Sequence, residues 1–465
     1  MAGEAIVDDD GTEPSPPAGA GSGGTEPHAV GQVVGTEDAT PLSFHVAVYP
    51  ESYLQLDDVV ATSREVPGRG SVMTAGIVTQ VRSRHEGASF GSDVFLISDG
   101  VLPARVQEVA EIATTRVQPE FFVPPRPGSV VRRATGAERA EALYFDQMAR
   151  RIPVGVGRDG QPVYIDLDFL DGTRGAHVSI SGISGVATKT SFALFLLHSL
   201  FTGGVLRNAH NAKALIFSVK GEDLLFLDKA NDKLRGADGE ELRDAYARLG
   251  LDATPFGSVR FYAPPVPGDN NARPHVAGRP EGVDAFWWTL HEFCNEQLLP
   301  YVFADVEDER NQYTLVVHHV TAVLRSAAPA GADGAITIDG VMCRSYGELV
   351  DLICERVTDP DTKDAWAGPA IGAGTANAFV RRLRSSQRAL SNIIRGDIPN
   401  RVNRRITTEG HQVTLVDLHN LMERAQRFVT GVVLAAETAR KEAAGPGSLL
   451  FTMLDELNKY APRDG

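Results

Sequence analysis

"HVSISGISGVATKTSFALFLLHSLF", residues 177–201, decides how the rest of the chain is read. A short apolar run, Val178 to Ile180, leads into small residues, then Lys189-Thr190, then an almost wholly apolar segment of helical length. That is the order of a strand, a phosphate-cradling turn and a helix. Such a cradle needs a concave row of backbone N–H groups, a lysine for the phosphate charge and a hydroxyl for Mg2+ at the helix N-terminus. Gly182 and Gly185 permit close backbone approach, Lys189 supplies the charge and Thr190 the hydroxyl. The strict motif puts one glycine directly before the lysine and another five residues before that. Thr188 and Ile183 stand at those two positions here. Thr188 therefore adds a side chain to the cradle where bare backbone is usual. The competing reading of the same residues is an ordinary strand-to-helix connection.

A second stretch bears on that choice. "SLLFTMLDELNKYAPR", residues 448–463, is an apolar strand that ends in Asp455-Glu456. At the end of a parallel strand, one carboxylate can hold Mg2+ and its neighbour can orient an attacking water. The plain alternative makes Asp455 an N-cap for the residues that follow. Two carboxylates and Lys189-Thr190, each at the carboxyl end of an expected parallel strand, favour a nucleotide site with ATP and Mg2+ as ligands, because open α/β sheets bind ligands at that edge.

Composition is that of an ordinary globular chain: 465 residues, 43% hydrophobic and 23% charged. The net charge of −15 speaks against a uniformly basic nucleic-acid binder, though not against a local basic patch. Cys294, Cys343 and Cys354 have no metal-site spacing, which fits a reducing cytoplasmic setting. The longest apolar run, Phe192 to Phe201, is too short to span a bilayer, so no membrane partner is expected.

The pattern divides the chain. Residues 1–28 are acidic and rich in Pro, Gly and Ala, and read as a disordered tail. Residues 29–118 hold short β-type runs such as "LSFHVAV" and "SVMTAGIVTQVRS" between turn residues, the pattern of a small antiparallel barrel or sandwich. A connector over 119–172 contains a Pro-rich stretch, a short helix near 137–149 and a hairpin turning at Asp159-Gly160. From 173 to 465, buried-type strands ("HVSIS", "KALIFSV", "SVRFYA", "QVTLVDL", "LLFTMLD") alternate with helical segments, which predicts a parallel α/β sheet. A mostly helical insertion over 265–410 interrupts the alternation.

With these residues in view, the chain resembles the HerA group of the HerA/FtsK ATPases. The features carrying the resemblance are a small N-terminal barrel, "DGTRGAHVSISGISGVATKT", "FSVKGEDLLFLD", "QVTLVDLHNL" and the distal "MLDELNKYAP". The resemblance implies an N-terminal HAS-type barrel, a RecA-like P-loop domain and a hexameric, ATP-driven translocase or helicase on double-stranded DNA, with a nuclease as a possible partner. Residue by residue it assigns Lys189 and Thr190 to the phosphate site, Asp455 to the metal and Glu456 to catalysis. Family members continue with further strands and an arginine that completes a neighbour's site. The sequence ends nine residues after Glu456, so a fragment is the expectation. The other function class left open is a nucleotide-responsive assembly scaffold with little hydrolysis.

Within the insertion, "NAFVRRLRSSQRALSNIIRGDIPNRVNRR" holds eight arginines between Arg381 and Arg405 and one acid, Asp397. On a helical wheel Phe379, Leu383, Leu390 and Ile394 fall on one side, with Arg381, Arg384, Arg388 and Arg395 nearly opposite. Those four are the candidate DNA-phosphate contacts. The alternative is a solvated face, or arginines paired to the chain's many acids. His198 and Trp287-Trp288 read as structural, His318-His319 has no clustered partner, and Glu222 is a weaker site candidate at a strand end.

Overall fold

The computed structural model describes residues 29–88, 90–182, 188–206, 208–237, 239–279, 281–303, 311–331, 334–398, 404–445 and 447–460. The chain divides into two compact units. One runs through Ala149 and includes Gly157–Gly160; the other comprises Arg150–Val156 and everything from Gln161 onward.

The first unit is a closed antiparallel barrel of six strands: β1 (Ala29–Val33), β2 (Ser43–Val48), β3 (Val59–Val66), β4 (Gly70–Glu86), β5 (Arg105–Gln118) and β6 (Val130–Arg133). Their order around the barrel is β1-β2-β5-β4-β3-β6. Alternation builds it, since Phe44 and Val46 of β2 point into a core with Val60, Val78, Ile112 and Val131, while His45 and Ala47 face outward. Gly76 sits at a bulge where β4 presses on β5: an added Cβ would lie 2.5 Å from the carbonyl oxygen of Ala113. The sixth strand comes from the stretch that reads as a connector, and it closes the ring by pairing with both β1 and β3. Closure removes the edges that an open sheet would expose. Helix α1 (Asp93–Ser98) lies between β4 and β5, and α2 (Gly136–Ala142) follows β6.

The second unit opens with the hairpin β7 (Arg151–Val156) and β8 (Pro162–Asp166), then α3 (Thr188–Thr202). Its main sheet uses β9 (Ala212–Ser218), β10 (Val259–Ala263) and β11 (Val283–Ala285), with α4 (Glu240–Arg248) between β9 and β10. The inserted region carries β12 (Trp288–Thr289), α5 (Leu290–Asn295), α6 (Asn311–Leu324), the small strands β13 (Ala328–Pro329), β14 (Ile336–Ile338) and β15 (Val341–Cys343), α7 (Tyr346–Thr358), α8 (Lys363–Ala367), α9 (Ala373–Leu390) and β16 (Ile394–Arg395). The chain then returns to the main sheet with β17 (Val413–Asp417), α10 (Glu423–Ala444) and β18 (Leu449–Leu454). The sheet order is β11-β10-β17-β9-β18, every pair parallel. The edge strand β11 thus comes from within the stretch 265–410 that reads as an insertion.

Successive residues of the strands serve opposite cores. Ala214 and Ile216 of β9, Phe261 of β10 and Leu415 of β17 pack with Leu196, Leu197 and Leu200 of α3. Leu215, Phe217, Tyr262 and Val416 pack on the other face with α10 and the inserted helices. Burial on both faces is why these strands read as continuous apolar runs. No helix among the described residues is long and apolar enough to cross a membrane.

Candidate functional site

The carboxyl ends of β18, β9 and β17 lie side by side. Register pairs Leu454 with Phe217, and Asp417 with Ser218, so the residues just past these strands share one edge. Asp455 follows β18 directly, is almost fully buried, and its backbone N–H donates to the Phe217 carbonyl. Thr190, in the first turn of α3, donates its hydroxyl to Asp455 Oδ1 at 3.1 Å. These two residues are 265 positions apart in sequence. The sheet and α3 bring them together as the two stretches lead one to expect. Lys189, beside Thr190, lines a cavity of about 610 Å3 together with His177, Asp455 and Glu456. Lys441, near the end of α10, lines the same cavity.

Asp455 is not an N-cap. The short turn Leu457–Lys459 has Glu456 at its cap position, with no side-chain cap bond. Glu456 itself adopts the left-handed backbone region, φ 59°, which a non-glycine residue enters only at some cost. That geometry turns its carboxylate toward Lys220, which lies just beyond β9, and the ion pair measures 2.6 Å. The bond from Lys220 holds the Glu456 carboxyl below its ordinary range, and the pair raises Lys220 in turn. Lys220 was not legible as a site residue. Its role follows from the pairing of β18 with β9, which no local pattern announces.

Among the described residues, the approach to the phosphate turn differs from its sequence reading. Val178 to Ile180 form no strand; Val178 is exposed, and the segment faces β18 across the cavity instead of pairing with it. "HVSISG" alternates its two large apolar residues with polar ones and ends in glycine, so it specifies pairing weakly. Gly182 is exposed and outside any regular element. Gly185 lies outside the described residues, as does the Thr188 side chain, although Thr188 is the first residue of α3.

A second polar cluster lies two strands away. Asp417 ends β17, is fully buried, and accepts from His419 Nδ1 at 2.7 Å and from the His419 backbone N–H at 3.1 Å. Burial pushes the Asp417 carboxyl up, against the pull of those two bonds. Glu222 accepts from the N–H groups of Ala277 and Gly278, at 2.7 and 2.5 Å, which makes it a loop anchor. His198 is likewise structural, with Nε2 at 2.9 Å from the Thr254 carbonyl.

The arginines separate into two sets. Arg381, Arg384 and Arg388 are exposed along α9, whose opposite side buries Phe379, Leu383 and Leu390. Arg395 does not continue that face. The helix ends at Leu390, Ile394–Arg395 forms β16 beside β12, and Arg395 is buried against Asp397 at 2.7 Å. Arg395 is buried beside Asp397, the one acid of the segment, and so is not among the surface arginines that could meet phosphates. Arg404 and Arg405 are paired as well, with Glu292 and Glu296.

Together these features define a two-unit protein: a closed barrel, and a doubly covered parallel α/β sheet with a Lys-Thr and Asp-Glu constellation at its carboxyl edge. No protein-family model matches the chain, and no curated protein matches it. Among solved structures it is similar to VirB4 of Thermoanaerobacter pseudethanolicus, at 12% identity over 68% of this chain and 79% of that one, with a TM-score of 0.33. A likeness that distant leaves the function to be argued from the site itself.

Proposed function

We propose that the α/β unit binds Mg·ATP and hydrolyses it. The observation that carries this reading is the meeting of Thr190 and Asp455 at 3.1 Å, at the carboxyl edge of a parallel sheet and beside a cavity lined by Lys189. A hydroxyl and a carboxylate are hard oxygen donors, so Thr190 and Asp455 are the residues that would hold a cation such as Mg2+. When bound, the ion supplies charge neutralisation at the phosphates. Lys189 supplies a further positive charge from the protein. Glu456 is the base: water oxygen bonds to the terminal phosphorus, the bond to the bridging oxygen breaks, and the water proton passes to a Glu456 carboxylate oxygen. Lys220 must first release that carboxylate.

The finer reading is a hexameric translocase on double-stranded DNA, supported by the exposed arginines of α9. A second reading, a nucleotide-responsive scaffold with little hydrolysis, is favoured by the Lys220–Glu456 pair, which occupies the base. Steady-state phosphate release with and without double-stranded DNA separates the two. A turnover stimulated by DNA supports the translocase. Tight Mg·ATP binding without turnover in either condition supports the scaffold.

A further inference from the structure

Lys220 combines a fixed backbone with a free tip. Strand β9 ends at Ser218, and Gly221 takes φ 149°, a conformation that favours glycine, so the chain turns sharply just after Lys220. One residue further on, Glu222 is locked onto the N–H groups of Ala277 and Gly278. The Lys220 side chain itself is 53% exposed, on a flexible four-carbon stem. Its ammonium lies 2.6 Å from Glu456 Oε1, and Glu456 lines the cavity with Lys189 and Asp455. Asp455 adds to the negative field at Lys220, and Lys189 adds to the positive field at Glu456. Lys459, a further cation near Glu456, is held by Glu423 at 2.6 Å. Two lysines and two carboxylates therefore stand together at this part of the cavity, and their charges cancel.

We propose that Lys220 is a specificity-determining residue that binds the terminal phosphate of a nucleoside triphosphate and releases Glu456 as it does so. The proposal rests on the reading of the cavity as a Mg·ATP site, and adds to it what opens the Lys220–Glu456 pair. Glu456 acts at the terminal phosphorus in that reading, so the group nearest to it is the phosphate that ATP has and ADP lacks. A terminal phosphate carries about −2 at neutral pH, twice the charge of Glu456, and offers three acceptor oxygens to the three donors of an ammonium. A ligand shifts an equilibrium between two arrangements only by binding one of them better. The triphosphate meets that condition, because it gives Lys220 a stronger partner than Glu456. The diphosphate ends one group short and leaves Lys220 on the base. Departure of the cleaved phosphate returns Lys220 to Glu456, so the base is free only while there is a bond for it to break. A charge-assisted hydrogen bond gained, less an exposed ion pair opened, leaves roughly a tenfold gain in affinity for the triphosphate.

The test is calorimetric titration of the full chain, wild type and Lys220→Met, with Mg·ADP and with the Mg2+ complex of the β,γ-imido analogue of ATP. The analogue keeps the third phosphate and is not consumed during the titration. The wild type is expected to bind both. Lys220→Met should bind the analogue roughly tenfold more weakly, with its Mg·ADP affinity within about twofold of wild type. A merely structural role for Lys220 would not move the ratio of the two affinities. Equal losses for both nucleotides would make Lys220 a general attractor of phosphate, and no loss for either would leave it a surface partner of Glu456. Both of those results overturn the inference and leave the Mg·ATP reading standing. A wild type that binds neither nucleotide overturns that reading and the inference with it. Lys220→Gln replaces Lys220→Met should the latter misfold, with the same outcomes.

Discussion

Replacing Thr190 by valine removes one hydroxyl and keeps the shape of the side chain. In the structure that hydroxyl donates to Asp455, a carboxylate only 8% exposed, at 3.1 Å. A hydrogen bond to a charged partner is worth about 1.5–3 kcal/mol, and the same hydroxyl is the oxygen proposed to face Mg2+. Loss of that interaction in the bound state corresponds to about 10- to 150-fold weaker Mg·ATP binding, at 1.4 kcal/mol per tenfold. The assay is calorimetric titration of ATP with Mg2+ and again with a chelator. Without Mg2+ the Thr190→Val chain should bind within a few-fold of wild type. With Mg2+ the full deficit should appear. Asp455→Ala should give a similar Mg2+-dependent loss, and the double variant should lose less than the two single losses added, because neighbours that share one partner are not independent. A Thr190→Val deficit of equal size with and without Mg2+ would refute the assignment of this hydroxyl to the metal.

Three further outcomes follow from the same geometry. Glu456→Gln should retain Mg·ATP affinity and lose turnover by orders of magnitude in single-turnover phosphate release; a wild-type rate would demote Glu456 to a partner of Lys220. Arg384→Glu/Arg388→Glu should weaken double-stranded DNA binding to all sequences alike in fluorescence anisotropy, and should reduce the salt slope by roughly 0.9 for each lost phosphate contact; undiminished DNA affinity would leave α9 a solvated face. Asp228 is held below the ordinary carboxylate range by Arg279, whose Nη2 lies 2.8 Å from Oδ2. A depressed folded value means the pair contributes above the ordinary carboxylate pKa of ~3.9 and is lost as pH falls through the folded value. The stability gap between wild type and Arg279→Met, followed by denaturant unfolding, should therefore be largest near neutrality, at about 1 kcal/mol for this partly buried pair, and should narrow in acid. A gap that does not change with pH would mean that Arg279 acts through packing alone.

The strands of the main sheet were legible because burial on two faces leaves a plain signature: "KALIFSV" and "QVTLVDL" are apolar wherever they touch a core. The strands of the first unit were legible as short β-type runs between turn residues, which left barrel and sandwich open, and one strand gave no signal. Val130–Arg133 follows a Pro-rich stretch and is only four residues long, so nothing local marks it as the strand that closes the ring. Val178 to Ile180 misled in the other direction. They have the residues of a strand, but a strand is made by a partner, and Val178 to Ile180 line the cavity with β18 without pairing to it. Arg395 shows the same limit on the helical wheel. Its spacing continues α9, but one aspartate two residues on and a strand partner at Thr289 decide its fate. Of the site, Lys189, Thr190, Asp455 and Glu456 could be read from two short stretches, since each sits at an element end that its own sequence announces. Lys220 and the Asp417–His419 pair could not, because their positions are set by register between strands far apart in the chain.

A Mg·ATP site built on Lys189 stands or falls on calorimetric titration of Mg·ATP into the full chain and into Lys189→Ala. No other Lys or Arg lies between Gly182 and Phe201, while Lys441 lines the same cavity and can replace part of the lost charge. A lysine near a phosphate at an effective dielectric of about 20 contributes up to about 4 kcal/mol at 4 Å, and partial replacement leaves roughly 2 kcal/mol to be lost. The wild type should show saturable one-to-one binding, and a folded Lys189→Ala chain should give at least a roughly 30-fold weaker isotherm. Equal affinity in the two proteins, or no binding by the wild type, would contradict it and return residues 177–201 to a structural turn.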